Sequence, residues 1–87
     1  MTPLHGIRVV ELAHVMAGPA CGLMLADMGA DVVKVERLPR GDATRGYVPP
    51  ALEGHSAAFM MMNRGKRGLA LDLRAEGGLD VLRRVLA

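Results

Sequence analysis

Two short apolar runs, Ile7 to Leu12 and Asp31 to Glu36, flank a stretch with helical spacing and set the frame for the rest of the chain. β-Branched Ile7, Val9 and Val10 cluster in the first run and Val32, Val33 and Val35 in the second, which predicts two strands. Between them Gly18-Pro19 opens a helix. Pro19 is predicted at its first position, where the missing N–H would have no partner anyway, and Gly29 ends it. The connection from Ala13 to Ala30 is longer than the roughly dozen residues that a parallel crossover needs. The two strands are therefore predicted to be parallel neighbours joined by a right-handed crossover.

Residues 38–52 contain three prolines, two glycines and mixed charge without periodicity, which predicts a long surface loop. Gly54 to Met62 reads as a short helix; its run Ala57 to Met62 leaves no polar face, so burial is expected. Leu69 to Leu73 alternates apolar and polar positions as a third strand, and from Ala75 onward Leu79, Leu82 and Leu86 return to helical spacing. The class is α/β: a βαβ unit, then helix, strand and helix on a parallel sheet. Two features point to the N-terminal part of a larger domain. The last helix is still amphipathic at Ala87, without a closing Gly, Asn or Pro, and three short helices would cover an apolar parallel sheet poorly.

Composition narrows the functional classes. Of the 87 residues, 51% are hydrophobic and 23% charged, a globular balance. A chain this short buries only about two-thirds of its unfolded surface, so the core should be thin. A net charge of +2 is too small for the overall field to hold a polyanion, and Phe59 and Tyr47 are the only aromatic residues. A nucleic-acid partner is therefore not expected. Charges break every apolar run well before the roughly 20 residues of a membrane span, and the N-terminus lacks the basic and apolar regions of a secretory signal. The single cysteine, Cys21, forms no internal disulfide, in keeping with a cytoplasmic setting.

Candidate chemistry follows from position. The carboxyl ends of parallel strands face a crevice where anionic ligands bind, which places His14, just past the first strand, and Arg37, just past the second, at its lip. An imidazole there suits a thioester, carboxylate or phosphate, and a loop histidine with backbone partners fits as well. Cys21 lies in the first helical turn and reads as a buried packing residue. His5 and His55 lack such a position, and no cluster has metal-ligand spacing. Glu36 falls where an acid would hold a ribose in a dinucleotide fold, but the glycine fingerprint is missing. Asn63 to Gly68 gathers Arg64, Lys66 and Arg67 in a glycine-hinged turn, with Arg74 beyond the next strand. Together these could grip phosphates, or the turn is a solvated basic loop.

Four blocks, PLHGIRVVEL, AGPACGLMLADMGADVVKVER, GDATR and NRGKRGLALDLR, occur in this order over nearly the whole chain. With them the sequence resembles the N-terminal segment of class III CoA-transferases, the CaiB/BaiF family. The resemblance implies residues 1–87 as the CoA-binding portion of a large Rossmann-like domain, and an interlocked homodimer. It also implies transfer of CoA from an acyl-CoA to a carboxylic acid through an aspartate that lies downstream, so no catalytic residue is expected in this chain. Coenzyme A would be a substrate and no permanently bound cofactor is implied. By position His14, Met16 and Ala17 match the loop near the thiol end, Arg37 the nucleotide end, and Leu71, Asp72, Leu73 and Arg74 a CoA-contacting segment. Lys66 and Arg67 are implied as phosphate neighbours. Met16 stands where formyl-CoA transferases have glutamine, so formyl-CoA and oxalate are not expected as substrates. Acyl-CoA racemases share the pattern and stay open as an alternative, as does a CoA- or nucleotide-binding module without catalysis.

Overall fold

The computed structural model describes residues 2–87. Strands β1 (Arg8–Glu11), β2 (Asp31–Glu36) and β5 (Arg67–Ala70) form one parallel sheet in the order β1-β2-β5. Glu11 pairs with Lys34, and Lys34 with Gly68 on its other side, so the centre of the sheet is a lysine flanked by an acid and a glycine. Helix α1 (Ala17–Asp27) makes the crossover between β1 and β2. A 3₁₀ turn (Ala43–Gly46), the hairpin β3 (Ala51–Leu52) and β4 (His55–Ser56), and helix α2 (Ala57–Asn63) lie between β2 and β5; helix α3 (Gly78–Leu86) closes the order.

The βαβ frame and its parallel sense agree with the periodicity, and differences lie at element ends. Helix α1 begins two residues earlier than Pro19, which occupies the third helical position and still wastes no intrahelical bond. The segment 38–52 is not all loop, because its last two residues pair in the hairpin, whose turn residues Glu53 and Gly54 both have positive φ. Helix α2 starts at Ala57 and not Gly54: the Ser56 hydroxyl accepts the Phe59 N–H and caps it. That helix is half-buried, with Met61 66% exposed, since α1, the 3₁₀ turn and β4 cover only part of it. Strand β5 runs Arg67–Ala70, two to three residues ahead of the predicted Leu69 to Leu73, which moves Leu71 to Leu73 past the strand end. Cys21 on α1 is exposed and not a buried packing residue; the buried positions of that helix are Pro19 and Gly22.

Helices α1 and α2 pack together, with α1 against β1 and β2. Val85 of α3 looks across a groove at Val10, Val33 and Leu69. The apolar core is thin, as the length requires. Among the described residues Ala30, Val32, Val35 and Leu82 are the buried hydrophobics, whereas Glu11, Lys34, Glu36, Asp42, Thr44, Ser56 and Asn63 are buried polar groups. Polar pairing therefore decides much of this fold. Gly22 shows how closely: a Cβ there would collide with the Glu11 carboxylate and press on the Lys66 stem. Gly22→Ala is expected to lower stability by roughly 1–3 kcal/mol in urea unfolding, against the usual helix preference for alanine; an unchanged or raised midpoint would show that the carboxylate has room to move.

Candidate functional site

The carboxyl ends of the three parallel strands open onto a cleft of about 630 Å³. Leu12 and His14 reach it from the end of β1, Val35, Arg37, Leu38, Pro39 and Arg40 from β2 and the turn after it, and Leu71 to Arg74 from the segment after β5. Leu12, Val35 and Leu71 give the wall apolar patches, and Arg37, Arg40 and Arg74 give it positive charge. Six of the residues singled out from sequence, His14, Arg37, Leu71, Asp72, Leu73 and Arg74, thus share one cavity. Met16 and Ala17 lie one step further along the β1 loop, as the N-cap and first residue of α1, with Met16 63% exposed.

Lys66 and Arg67 do not join them. The Lys66 side chain is 2% exposed; its Nζ lies 2.7 Å from Glu11 Oε1 and donates to Pro19 O and Asn63 Oδ1, both at 2.9 Å. Arg67 stands at the amino end of β5, where its Nε and Nη2 grip both Asp31 oxygens at 2.9 and 2.7 Å. Residues before and after a parallel strand lie at opposite ends of the sheet, so this turn and Arg74 cannot act on one ligand. Glu36 is likewise engaged: its carboxylate accepts two bonds from Arg45 and one from the Asp42 N–H, and the residue is buried, away from any ribose.

What holds the cleft loops in place is a chain of buried charges. Lys34 Nζ lies 2.7 Å from Glu11 Oε2 and 2.9 Å from Asp42 Oδ2, and donates to Ala13 O at 3.1 Å. One ammonium therefore ties the end of β1, the loop bearing His14 and the segment after β2. Asp42 in turn accepts the Val15 N–H at 3.1 and 3.2 Å, and the Thr44 N–H and hydroxyl at 2.9 and 2.8 Å. Val15 has φ of 71°, a conformation that β-branched residues rarely adopt, and it is held there by the carboxylate. Gly41, with φ of 73°, lets the backbone turn directly over Glu36; a Cβ would strike that carboxylate. Arg45 ends the chain of contacts, its guanidinium 3.8 Å from the centre of the Phe59 ring.

The sequence reading missed Lys34, Asp42 and Arg40. A lysine within a valine run beside a strand-terminal glutamate signals a buried pair, and Asp42 two residues before Thr44 has the spacing of a side-chain cap. Arg37, Arg40 and Arg74 make no ion pair among the described residues, in contrast to Lys34, Arg45, Lys66 and Arg67. Asp72 Oδ1 accepts the Arg74 N–H at 2.9 Å, an Asx turn that shapes the rim. No group of three or more metal-binding side chains occurs among the described residues, and none of the helices is long and apolar enough to cross a membrane.

Comparison with known proteins places the cleft in context. The profile of CoA-transferase family III matches residues 4–87. The chain is similar to succinate–glutarate CoA-transferase of Agrobacterium fabrum, 49% identical over 97% of this chain and 22% of that protein. It is also similar to formyl-CoA:oxalate CoA-transferase of Afipia carboxidovorans, 43% identical over 91% of this chain and 19% of that protein. A crystal structure of a CaiB/BaiF family protein from Brucella suis superimposes with a TM-score of 0.90 at 49% identity, covering 98% of this chain and 23% of that one. The chain thus spans about a fifth of the length of the curated relatives it matches.

The charge network carries a pH signature. Burial pushes the Asp42 carboxyl up, but hydrogen bonds from Thr44, Lys34 and Val15 outweigh it and hold the group well below its ordinary 3.8. The Arg45 guanidinium, against some desolvation, holds Glu36 below its ordinary 4.5. Both groups have depressed folded values, so their stabilisation is fully present above about 4.5 and is lost as the pH falls further, where the unfolded chain takes up protons first. Asp42→Asn is expected to cost roughly 3 kcal/mol at neutral pH and to flatten the decline in acid. Urea titrations of the full chain between pH 3 and 7 measure this as about that pair of effects; an acid slope equal to wild type would exclude Asp42 as its source.

Proposed function

Because the chain belongs to CoA-transferase family III, we propose that residues 1–87 form the N-terminal, CoA-binding part of an enzyme that moves CoA from an acyl-CoA to a carboxylic acid. The observation that carries this reading is the convergence of three parallel strand ends, which brings His14, Arg37 and Arg74 to one cleft of about 630 Å³. In it Arg37 and Arg74 take the phosphates of the nucleotide, since guanidinium forks match phosphate oxygens two at a time. Leu12, Val35 and Leu71 flank the less polar arm of the carrier. His14, with Met16 and Ala17 beyond it, faces the thioester.

In this reading the chain binds and orients, and an aspartate outside these residues attacks. Its carboxylate oxygen bonds to the thioester carbon, the carbon–sulfur bond breaks, and the CoA thiolate leaves an enzyme-bound mixed anhydride. CoA is thus a substrate and not a resident cofactor. Residues 38–40 form one rim of the cleft, and the segment they begin is anchored through Asp42. The acceptor class we favour is a dicarboxylic acid of the succinate and glutarate kind, named for the Agrobacterium relative. Met16 offers no amide to bind a formyl group, which speaks against formyl-CoA. The complete protein acts in the cytoplasm as a homodimer.

Calorimetric titration of the full-length protein with CoA tests the assignment. Arg37→Ala and Arg74→Ala are each expected to weaken binding about ten- to a hundredfold, the loss of one charge-assisted phosphate contact. If both variants bind CoA as wild type does, the cleft is not the CoA site.

A further inference from the structure

Among the described residues two that are not glycine have positive φ, Val15 at 71° and Glu53 at 52°. Glu53 precedes Gly54 in the hairpin turn, where that geometry is ordinary. Val15 has no such setting: it lies between His14 and Met16, in the short loop from Glu11 at the end of β1 to Ala17 at the start of α1. A branched Cβ makes left-handed backbone costly, and such outliers persist only where the surroundings over-determine them. Here they do. Lys34 Nζ donates to Ala13 O at 3.1 Å, the Val15 N–H reaches both oxygens of Asp42 at 3.1 and 3.2 Å, and Lys34 and Asp42 are paired at 2.9 Å. The peptide groups on either side of His14 are thus clamped by one buried ion pair. The His14 imidazole makes no hydrogen bond of its own among the described residues, so its direction into the cleft is set by that backbone. With the N–H held, a branched Cβ confines residue 15 to a narrow well, whereas glycine would leave it a broad one.

We propose that Val15 is a positioning residue: its left-handed backbone, clamped by Asp42, fixes the directions in which His14 and Met16 meet the thioester. The assignment rests on the reading of the cleft as the CoA site and adds to it the source of alignment at the reacting end. Acyl transfer is sensitive to misplacement on the ångström scale, so a loop that drifts loses rate before it loses affinity. Arg37 and Arg74 stand on the segments after β2 and β5, and their contacts do not run through Val15. Strain kept at such a place separates folding from turnover. Altering a residue that serves only the fold lowers stability and rate together, whereas relieving a strained alignment lowers the rate and leaves stability intact.

The test uses the full-length protein, wild type, Val15→Gly and Val15→Thr, assayed for CoA transfer from succinyl-CoA to glutarate. Val15→Gly is expected to lose about ten- to a hundredfold in kcat, with the KM for succinyl-CoA and the calorimetric affinity for CoA within about twofold of wild type. Its melting temperature should hold or rise, since glycine accepts the left-handed φ, and amide exchange in a peptide spanning residues 12–18 should accelerate. Val15→Thr keeps the branch and nearly the shape, and should keep the wild-type kcat. An unchanged kcat in Val15→Gly, a fall accompanied by an equal loss of CoA affinity or by a lower melting temperature, or an equal fall in Val15→Thr would overturn the assignment while leaving the CoA site in place. If wild type binds CoA without transferring it to glutarate, amide exchange decides: acceleration in Val15→Gly at unchanged CoA affinity upholds the assignment, and its absence overturns it. If wild type does not bind CoA, the reading of the cleft itself falls, and the assignment falls with it.

Discussion

Everything around the cleft depends on the ammonium of Lys34. It sits in the middle of the central strand, 2% exposed, and its neighbours within ion-pair reach are Glu11 and Asp42. Desolvating an ammonium costs several kcal/mol, and its partners offset that cost only when they stand at hydrogen-bond distance. The loops that supply them are therefore held to one arrangement. Moving the loop after β1 would strip Lys34 of Ala13 O, and moving the segment after β2 would strip it of Asp42. The same contacts that satisfy a buried charge thus place His14 on one side of the cleft and Arg37 on another.

The charges extend outward from that point in alternation. Lys66 lies against the other oxygen of Glu11, 2.7 Å away but off the line of a good hydrogen bond, which leaves Lys34 as the directional partner. Asp42 and Glu36 are linked through the Asp42 N–H, and Arg45 neutralises Glu36 at the surface end. Three cations balance three carboxylates along this path, so the interior carries no net charge into the sheet. In a chain with so few fully buried hydrophobic residues, geometry of this kind supplies specificity that a larger core would otherwise give. Gly22 and Gly41 are the consequence in sequence, for each leaves the space that a buried carboxylate occupies.

A sharp division of the basic residues results. Lys34, Lys66, Arg45 and Arg67 are bound into the fold, whereas Arg37, Arg40 and Arg74 face the cleft uncompensated. The weak overall charge of the chain and the strong local charge of the cleft are compatible for this reason. Cations that have no ion-pair partner among the described residues thus line one cleft, on turns held by their own hydrogen bonds. The left-handed conformation of Val15 belongs to the same design, because it is the bend that carries the chain from His14 into helix α1.

The sequence alone determined the βαβ frame, since strand runs, a Pro-started helix and a long crossover are local signals whose spatial outcome is nearly forced. With the frame came the prediction that His14 and Arg37 share a crevice, because both follow parallel strands directly. Family blocks in order added Leu71 to Arg74. Only the tertiary structure decided which cations are free. Lys66, Arg67 and Arg74 look alike in composition, yet one is buried against Glu11, one is paired with Asp31 and one is open to the cleft. That outcome turns on which groups come within about 3 Å across the sheet, a property of packing and not of spacing along the chain. The exposure of Cys21 escaped for the same reason, whereas the hairpin pairs near neighbours, Ala51 with Ser56 and Leu52 with His55, and its Glu53-Gly54 turn is a local signal.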